Sequence, residues 1–165
     1  MDKSIDEVWL VKEWLDKLFY QIGKQQYDYF LQFSEVNGVK TKWRKYSEIC
    51  FDYENPKNKL FLSIVNQRQI LPCEVVLDIE NKEQLPIIIS ELNKIGLTFY
   101  VFSTGSRGYH VHLFFNRALS QAEKIAIIKY FKTDIQKASN KTLIALEFAK
   151  HWKSGKIKEL VKYGN

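Results

Sequence analysis

Residues 103–112 read Ser-Thr-Gly-Ser-Arg-Gly-Tyr-His-Val-His. Gly105 and Gly108 let a backbone come close to a ligand. The amides of such a turn, with Thr104 and Ser106, can donate to phosphate oxygens, and Arg107 adds a planar cation that grips them in pairs. His110 and His112 then alternate along a stretch that reads as a strand, so both face one way. Upstream, the apolar run Val75-Val76-Leu77 ends in Asp78-Ile79-Glu80. Two carboxylates two residues apart on a strand share a side, roughly 6–7 Å apart at Cα. They repel and raise one pKa, and a hard divalent cation held by both removes that penalty. A third apolar run, Thr142 to Phe148, carries Glu147 near its end and leads into His151, Trp152 and Lys153. Taken singly, each feature has a plain structural explanation: solvated acids at a strand end, a hairpin turn, a hydrogen-bonded sheet histidine. Their chemical meaning depends on convergence.

The elements that must bring them together are regular from Cys73 onward. A strand (Glu74 to Glu80) is followed by a helix from about Lys82 to Ile95, stopped by Gly96. Strands Leu97 to Ser103 and Gly108 to Phe115 flank the turn. A second helix runs from about Ser120 to Lys137, with Ser120 as its cap and Glu123 completing a capping box, and a last strand spans Thr142 to Phe148. The order β-α-β-β-α-β is the split β-α-β, or ferredoxin-like, unit shared with RNA-recognition (RRM-like) domains. In it the first and third strands are central neighbours and the fourth lies outside the first. Asp78, Glu80 and Glu147 are then expected on one sheet face beside His110, with Leu77 and Ile79 turned toward the helices. His112, two residues deeper, reads as a supporting side chain.

Ahead of this unit, Ser4-Ile5-Asp6-Glu7 opens a helix expected over about residues 5 to 22. Alternation from Phe30 to Arg44 around Asn37-Gly38 predicts a β-hairpin. Lys40, Lys42 and Arg44 share one face of its second strand, either as a basic ribbon for a nucleic-acid template or as lysines guarding an edge. Another strand is expected from Asn58 to Asn66, and Gln67 to Pro72 reads as a connection. The expected organisation is an α+β protein in one compact body: a helix-and-hairpin stretch, 1–72, and an RRM-like module, 73–165.

The chain has 165 residues, 45% of them hydrophobic, which is ample for one core. A formal charge of +6 allows a polyanionic partner without requiring one. Cys50 and Cys73 stand apart, so neither a disulfide framework nor a cysteine zinc site is indicated, and no zinc is expected. The beginning lacks the basic start and apolar run of a signal peptide, and no apolar run is long enough to span a bilayer. A cytoplasmic protein with no membrane partner is the expectation.

At its motif residues the sequence resembles the archaeo-eukaryotic primase superfamily. The strand ending Asp78-Ile79-Glu80 is similar to that family's first motif, in the Asp-x-Glu form of the primase-polymerases. Thr104-Gly105-Ser106-Arg107-Gly108-Tyr109-His110 is similar to its second, Ser-Gly-x-Arg/Lys-Gly-x-His. Glu147 stands where the third motif usually has an aspartate, and His151-Trp152-Lys153-Ser154-Gly155-Lys156 looks like a downstream Ser-x-His-x-Lys-Thr-Gly element. The resemblance covers about residues 73 to 158 and implies a minimal primase or primase-polymerase acting on nucleoside triphosphates along a single-stranded DNA template. It implies two divalent ions, Mg²⁺ or Mn²⁺, on Asp78, Glu80 and Glu147. Triphosphate contacts would come from Thr104, Ser106, Arg107, His110 and Lys153, and a helicase or larger primase subunit is a candidate partner. Two rival readings are a catalytically silent accessory domain that binds nucleic acid or a primase partner, and a metal-dependent nuclease, which leaves the phosphate-binding turn unexplained.

Overall fold

The computed structural model describes residues 29–33, 40–45, 65–104, 107–139, 142–149, 151 and 154–164. The protein is α+β, built on two antiparallel sheets. Strands β1 (Tyr29–Phe33), β2 (Lys40–Lys45), β3 (Val65–Gln69) and β7 (Leu143–Ala145) form one sheet in the order β2-β1-β3-β7. Strands β4 (Glu74–Ile79), β5 (Phe99–Ser103), β6 (Tyr109–Phe114) and β8 (Leu160–Gly164) form the other in the order β4-β6-β5-β8. Helices α1 (Gln84–Ile95) and α2 (Gln121–Tyr130) follow β4 and β6.

The β4 sequence explains its place. Val75, Leu77 and Ile79 are fully buried with Ile88 and Leu92 of α1 and Ile128 of α2, while the alternate residues face the other way. Register fixes that second face: Asp78 lies opposite His110, Val76 opposite His112 and Glu74 opposite Phe114. Ile70, Val76 and Ile144 make a smaller apolar cluster there, where β7 meets β4.

Local chemistry sets the helix ends. Asn81 accepts from the Glu83 amide (3.0 Å) to start α1. Gly96 closes it at φ 81°, its N–H donating to Leu92 O. In α2, Ser120 and Glu123 form the expected capping box with two 3.1 Å bonds. This helix stops at Tyr130 rather than Lys137. The backbone turns left-handed at Lys132 (φ 57°), and Asp134 accepts from the Gln136 amide (3.0 Å) to cap a separate 3₁₀ turn, Ile135–Ala138.

Three expectations about strands are corrected. Residues 67–69, read as a connection, belong to β3, which pairs with both β1 and β7. The last strand of the expected unit, β7, is shorter than predicted and pairs with β3 instead of lying outside β4. Its absence from β4 is matched at the opposite edge by β8, which no pattern had marked and which pairs with β5. The order of β4, β6 and β5 is as expected. The hairpin of β1 and β2 is also present, with Leu31 opposite Trp43 and an irregularity between Leu31 and Phe33. Its Asn37-Gly38 turn, the helix expected over residues 5 to 22 and most of the strand expected from Asn58 lie outside the described residues. Among the described residues no helix is long and apolar enough to cross a membrane.

Candidate functional site

Two polar groupings meet at β4 and β6: an open cleft at the strand ends, and a buried set of charges between the sheets.

The cleft has a volume of about 760 Å³. Glu80 and Lys82 line it from the end of β4, Thr104, Arg107 and Gly108 from the turn between β5 and β6, and Lys156 and Glu159 from the stretch before β8. Gly108 explains why these walls meet. It holds φ 73°, and a Cβ there would sit 1.9 Å from Ile79 O and 2.9 Å from Glu80 Cα. Only glycine lets the turn lie against the acidic end of β4. Arg107 and Glu80 are exposed. Thr104 is buried, and its hydroxyl donates to Arg107 O (2.7 Å), closing the turn instead of offering its proton to a ligand.

Asp78 is partly buried and does not line the cleft. Its Oδ1 lies 3.6 Å from His110 Nε2 and its Oδ2 lies 4.0 Å from Lys137 Nζ. Burial raises its carboxyl pKa, Lys137 offsets part of that and the Glu80 charge adds to it. His110 is buried, and its Nδ1 has no hydrogen-bond partner. Burial and the nearby Lys158 charge hold the imidazole well below its ordinary pKa, so it is neutral. It does not line the cleft, unlike the expected phosphate contact.

The buried set was not anticipated from sequence. Arg68 on β3 donates from Nη1 and Nη2 to the two oxygens of Glu74 (2.8 and 2.7 Å), and from Nε and Nη2 to those of Glu147 (2.9 and 2.8 Å). Its remaining Nη1 proton goes to Gln69 O (3.0 Å). Lys158 donates to Ala145 O (2.9 Å), His112 Nε2 (3.1 Å) and Glu147 Oε1 (3.2 Å). His112 Nδ1 lies 2.7 Å from Glu74 Oε2. Burial and Lys158 lower the His112 pKa, so the ring is neutral, donates from Nδ1 to Glu74 and accepts at Nε2 from Lys158. All five residues are buried.

Burial is the largest single influence and alone would raise Glu74 and Glu147, but their hydrogen-bonded and charged neighbours, Arg68 first at both and Lys158 next at Glu147, together outweigh it, so each stays ionised well below the usual carboxylate range. Burial pushes Lys158 down to about 8 against the pull of Glu147. Two carboxylates and two cations leave the set neutral, as a dry interior requires.

These positions bear directly on the expected ligands. Asp78, Glu80 and Glu147 do not form one ligand set. The group of three whose ligand atoms all lie within 4.8 Å of one another, among the described residues, is Glu74, His112 and Glu147. That group could hold a metal ion, and Arg68 and Lys158 already supply positive charge to it. Ser106 and Lys153 lie outside the described residues, as do Trp152 and Gly105. Lys40, Lys42 and Arg44 alternate along β2, the terminal strand of its sheet among the described residues. Arg68, Glu74 and Lys158 gave no local signal beyond being charges in or beside apolar runs. Cys73 is a free thiol, half-buried. No protein-family model matches this chain, and no curated protein matches it in sequence.

Proposed function

We propose that the protein is a minimal primase or primase-polymerase that transfers nucleotidyl groups from nucleoside triphosphates to a strand paired with a single-stranded DNA template. One observation carries the reading: Gly108 brings the Arg107 turn into contact with the end of the strand that bears Asp78 and Glu80. Glu80 and the basic Arg107, Lys82 and Lys156 thus share a cleft whose volume lies in the range of small-molecule sites, with Asp78 just outside its lining. The β4-α1-β5-β6-α2 succession is read as an RRM-like core whose fourth strand has been diverted into the neighbouring sheet.

Asp78 and Glu80 suit a hard divalent cation, Mg²⁺ or Mn²⁺. Both are oxygen donors, Asp78 on β4 and Glu80 just past its end, near enough that the Glu80 charge helps raise Asp78, and that repulsion would disappear with a cation between them. Such an ion, when bound, supplies activation of the attacking 3′-hydroxyl and neutralises the leaving pyrophosphate. The chain's own cations do the rest. Arg107, Lys82 and Lys156 would bind the triphosphate and hold it against the acids, and the neutral His110 backs Asp78 and limits its movement. Glu147, spent on Arg68 and Lys158, serves the structure in this reading.

The test is incorporation of labelled nucleotide on single-stranded template, with and without an annealed primer, in Mg²⁺ or Mn²⁺. Asp78→Ala with Glu80→Ala should abolish incorporation while the protein remains folded, since neither side chain fills the core. Full activity in the folded double variant would refute the assignment. Nucleotide binding without incorporation in the natural protein would favour the silent accessory reading, for which the sequestering of Glu147 is the supporting observation.

A further inference from the structure

Residues 147–149 and 156–158 pair as two legs beside the cleft, with His151, Ser154 and Gly155 at the end where they meet. The legs are joined by Phe148 N–H to Lys158 O (2.8 Å), Lys158 N–H to Ala149 O (3.1 Å) and His151 N–H to Lys156 O (2.7 Å). At the tip, Gly155 takes φ 71° and donates to His151 O (2.9 Å), and the Ser154 amide donates to His151 Nδ1 (3.1 Å). Gly155, Lys156 and Ile157 reach the cleft. These bonds fix how the legs lie against each other. Other bonds must fix where they sit on the sheets.

Lys158, next in sequence to the cleft-lining Ile157, joins the legs to their surroundings. Its three protons go to β6 through His112, to β7 through Ala145 O and to the opposite leg through Glu147. Its ammonium also lies 5.6 Å from the centre of the Phe102 ring on β5. A counter-ion for Glu147 would need only one of these bonds. Lys158 directs two of its three at neutral acceptors, which fix direction rather than cancel charge. We infer that Lys158 is a positioning residue for the cleft, seating the paired legs 147–149 and 156–158 so that Gly155 and Lys156 share the cleft with Arg107. The functional part of this inference rests on the cleft's binding triphosphates, and the seating itself does not.

Two variants separate seating from charge balance. Lys158→Met keeps the length and removes the donors. Lys158→Met with Glu147→Gln does the same while restoring electrical neutrality to the buried set. In both, amide exchange at His151 and Gly155 should quicken by about tenfold or more while the β5 and β6 amides keep their protection. Affinity for inorganic triphosphate with Mg²⁺, measured by calorimetry, should fall about tenfold. If the double variant returns both readouts to the natural level, Lys158 is only a counter-charge and the inference is overturned. Exchange that rises evenly through β5 and β6, or a loosened pair of legs with unchanged triphosphate affinity, overturns it too. If Lys158→Met alone does not fold, the double variant decides. If the natural protein binds no triphosphate, the cleft reading fails, and the exchange comparison still decides the seating.

Discussion

Arg68 is the residue on which the two sheets depend most. All five of its protons are used, four of them on Glu74 and Glu147, and none of the three groups is open to water. Arg68→Met should therefore destabilise by about 3–5 kcal/mol in urea denaturation, because it leaves two buried carboxylates with one cation between them. Arg68→Lys should recover only part of this, since an ammonium cannot make two forked pairs. The histidines set a pH dependence. Both His110 and His112 have folded pKa values below the ordinary 6.5, so below that value the unfolded chain binds more protons. The histidines' contribution to stability should be full above 6.5 and fall as pH drops beneath it, by about 1.4 kcal/mol per pH unit for each histidine. A second loss should begin below 4.5, where Glu74 and Glu147 resist protonation in the folded state only. Urea melts at a series of pH values check both steps, and His110→Phe should remove about half of the first slope.

At the level of elements, what was legible in the sequence was what neighbours along the chain decide. Gly96 and the Ser120–Glu123 box marked helix ends, and period-two alternation in β4 told which side Asp78 would face. Arg68 was not legible as a network residue because its partner Glu147 lies 79 positions away, and no local pattern encodes such a pairing. The same holds for β7, whose apolar run fits beside either β4 or β3. Its choice follows from the ion pairs that bind Glu147 to Arg68, a tertiary fact. Lys158 and β8 were missed for a different reason: charged residues interrupt Ile157 to Tyr163, masking a strand at a sheet edge, where lysines are ordinary. The glycine in the turn makes the clearest element-scale prediction. Gly108→Ala must either change φ 73° or push the turn off β4, so it should cost about 1–3 kcal/mol and weaken triphosphate binding together, measured by melting and calorimetry on the same sample. Unchanged affinity in the destabilised variant would separate the turn from the cleft's chemistry.

For the whole molecule, the basic strand β2 lies at one end of the first sheet, and β8 ends the second. If β2 carries the template, affinity for single-stranded DNA should depend on salt. Replacing Lys40, Lys42 and Arg44 with alanine should flatten the slope of log affinity against log salt by up to roughly 2, at about 0.7 for each phosphate no longer neutralised by the protein. An unchanged slope makes these residues guards of a sheet edge and sends the template elsewhere. Arg68 crosses from the first sheet to Glu74 of the second, and the buried seam there is completed by residues far apart in sequence: Arg68 also bonds Glu147, 79 positions on, and His112 bonds Lys158, 46 positions on. A ribosome releases a chain in one direction, so Arg68 and Glu74 emerge well before the partners that complete their charges. Strands β4, β5 and β6 can pair around α1 in the meantime, but the seam between the sheets must stay hydrated until Lys158 arrives. The seam is therefore the last part of the protein to dry, and a chain ending just short of Lys158 would leave Glu74 and Glu147 sharing a single arginine in a seam that stays wet.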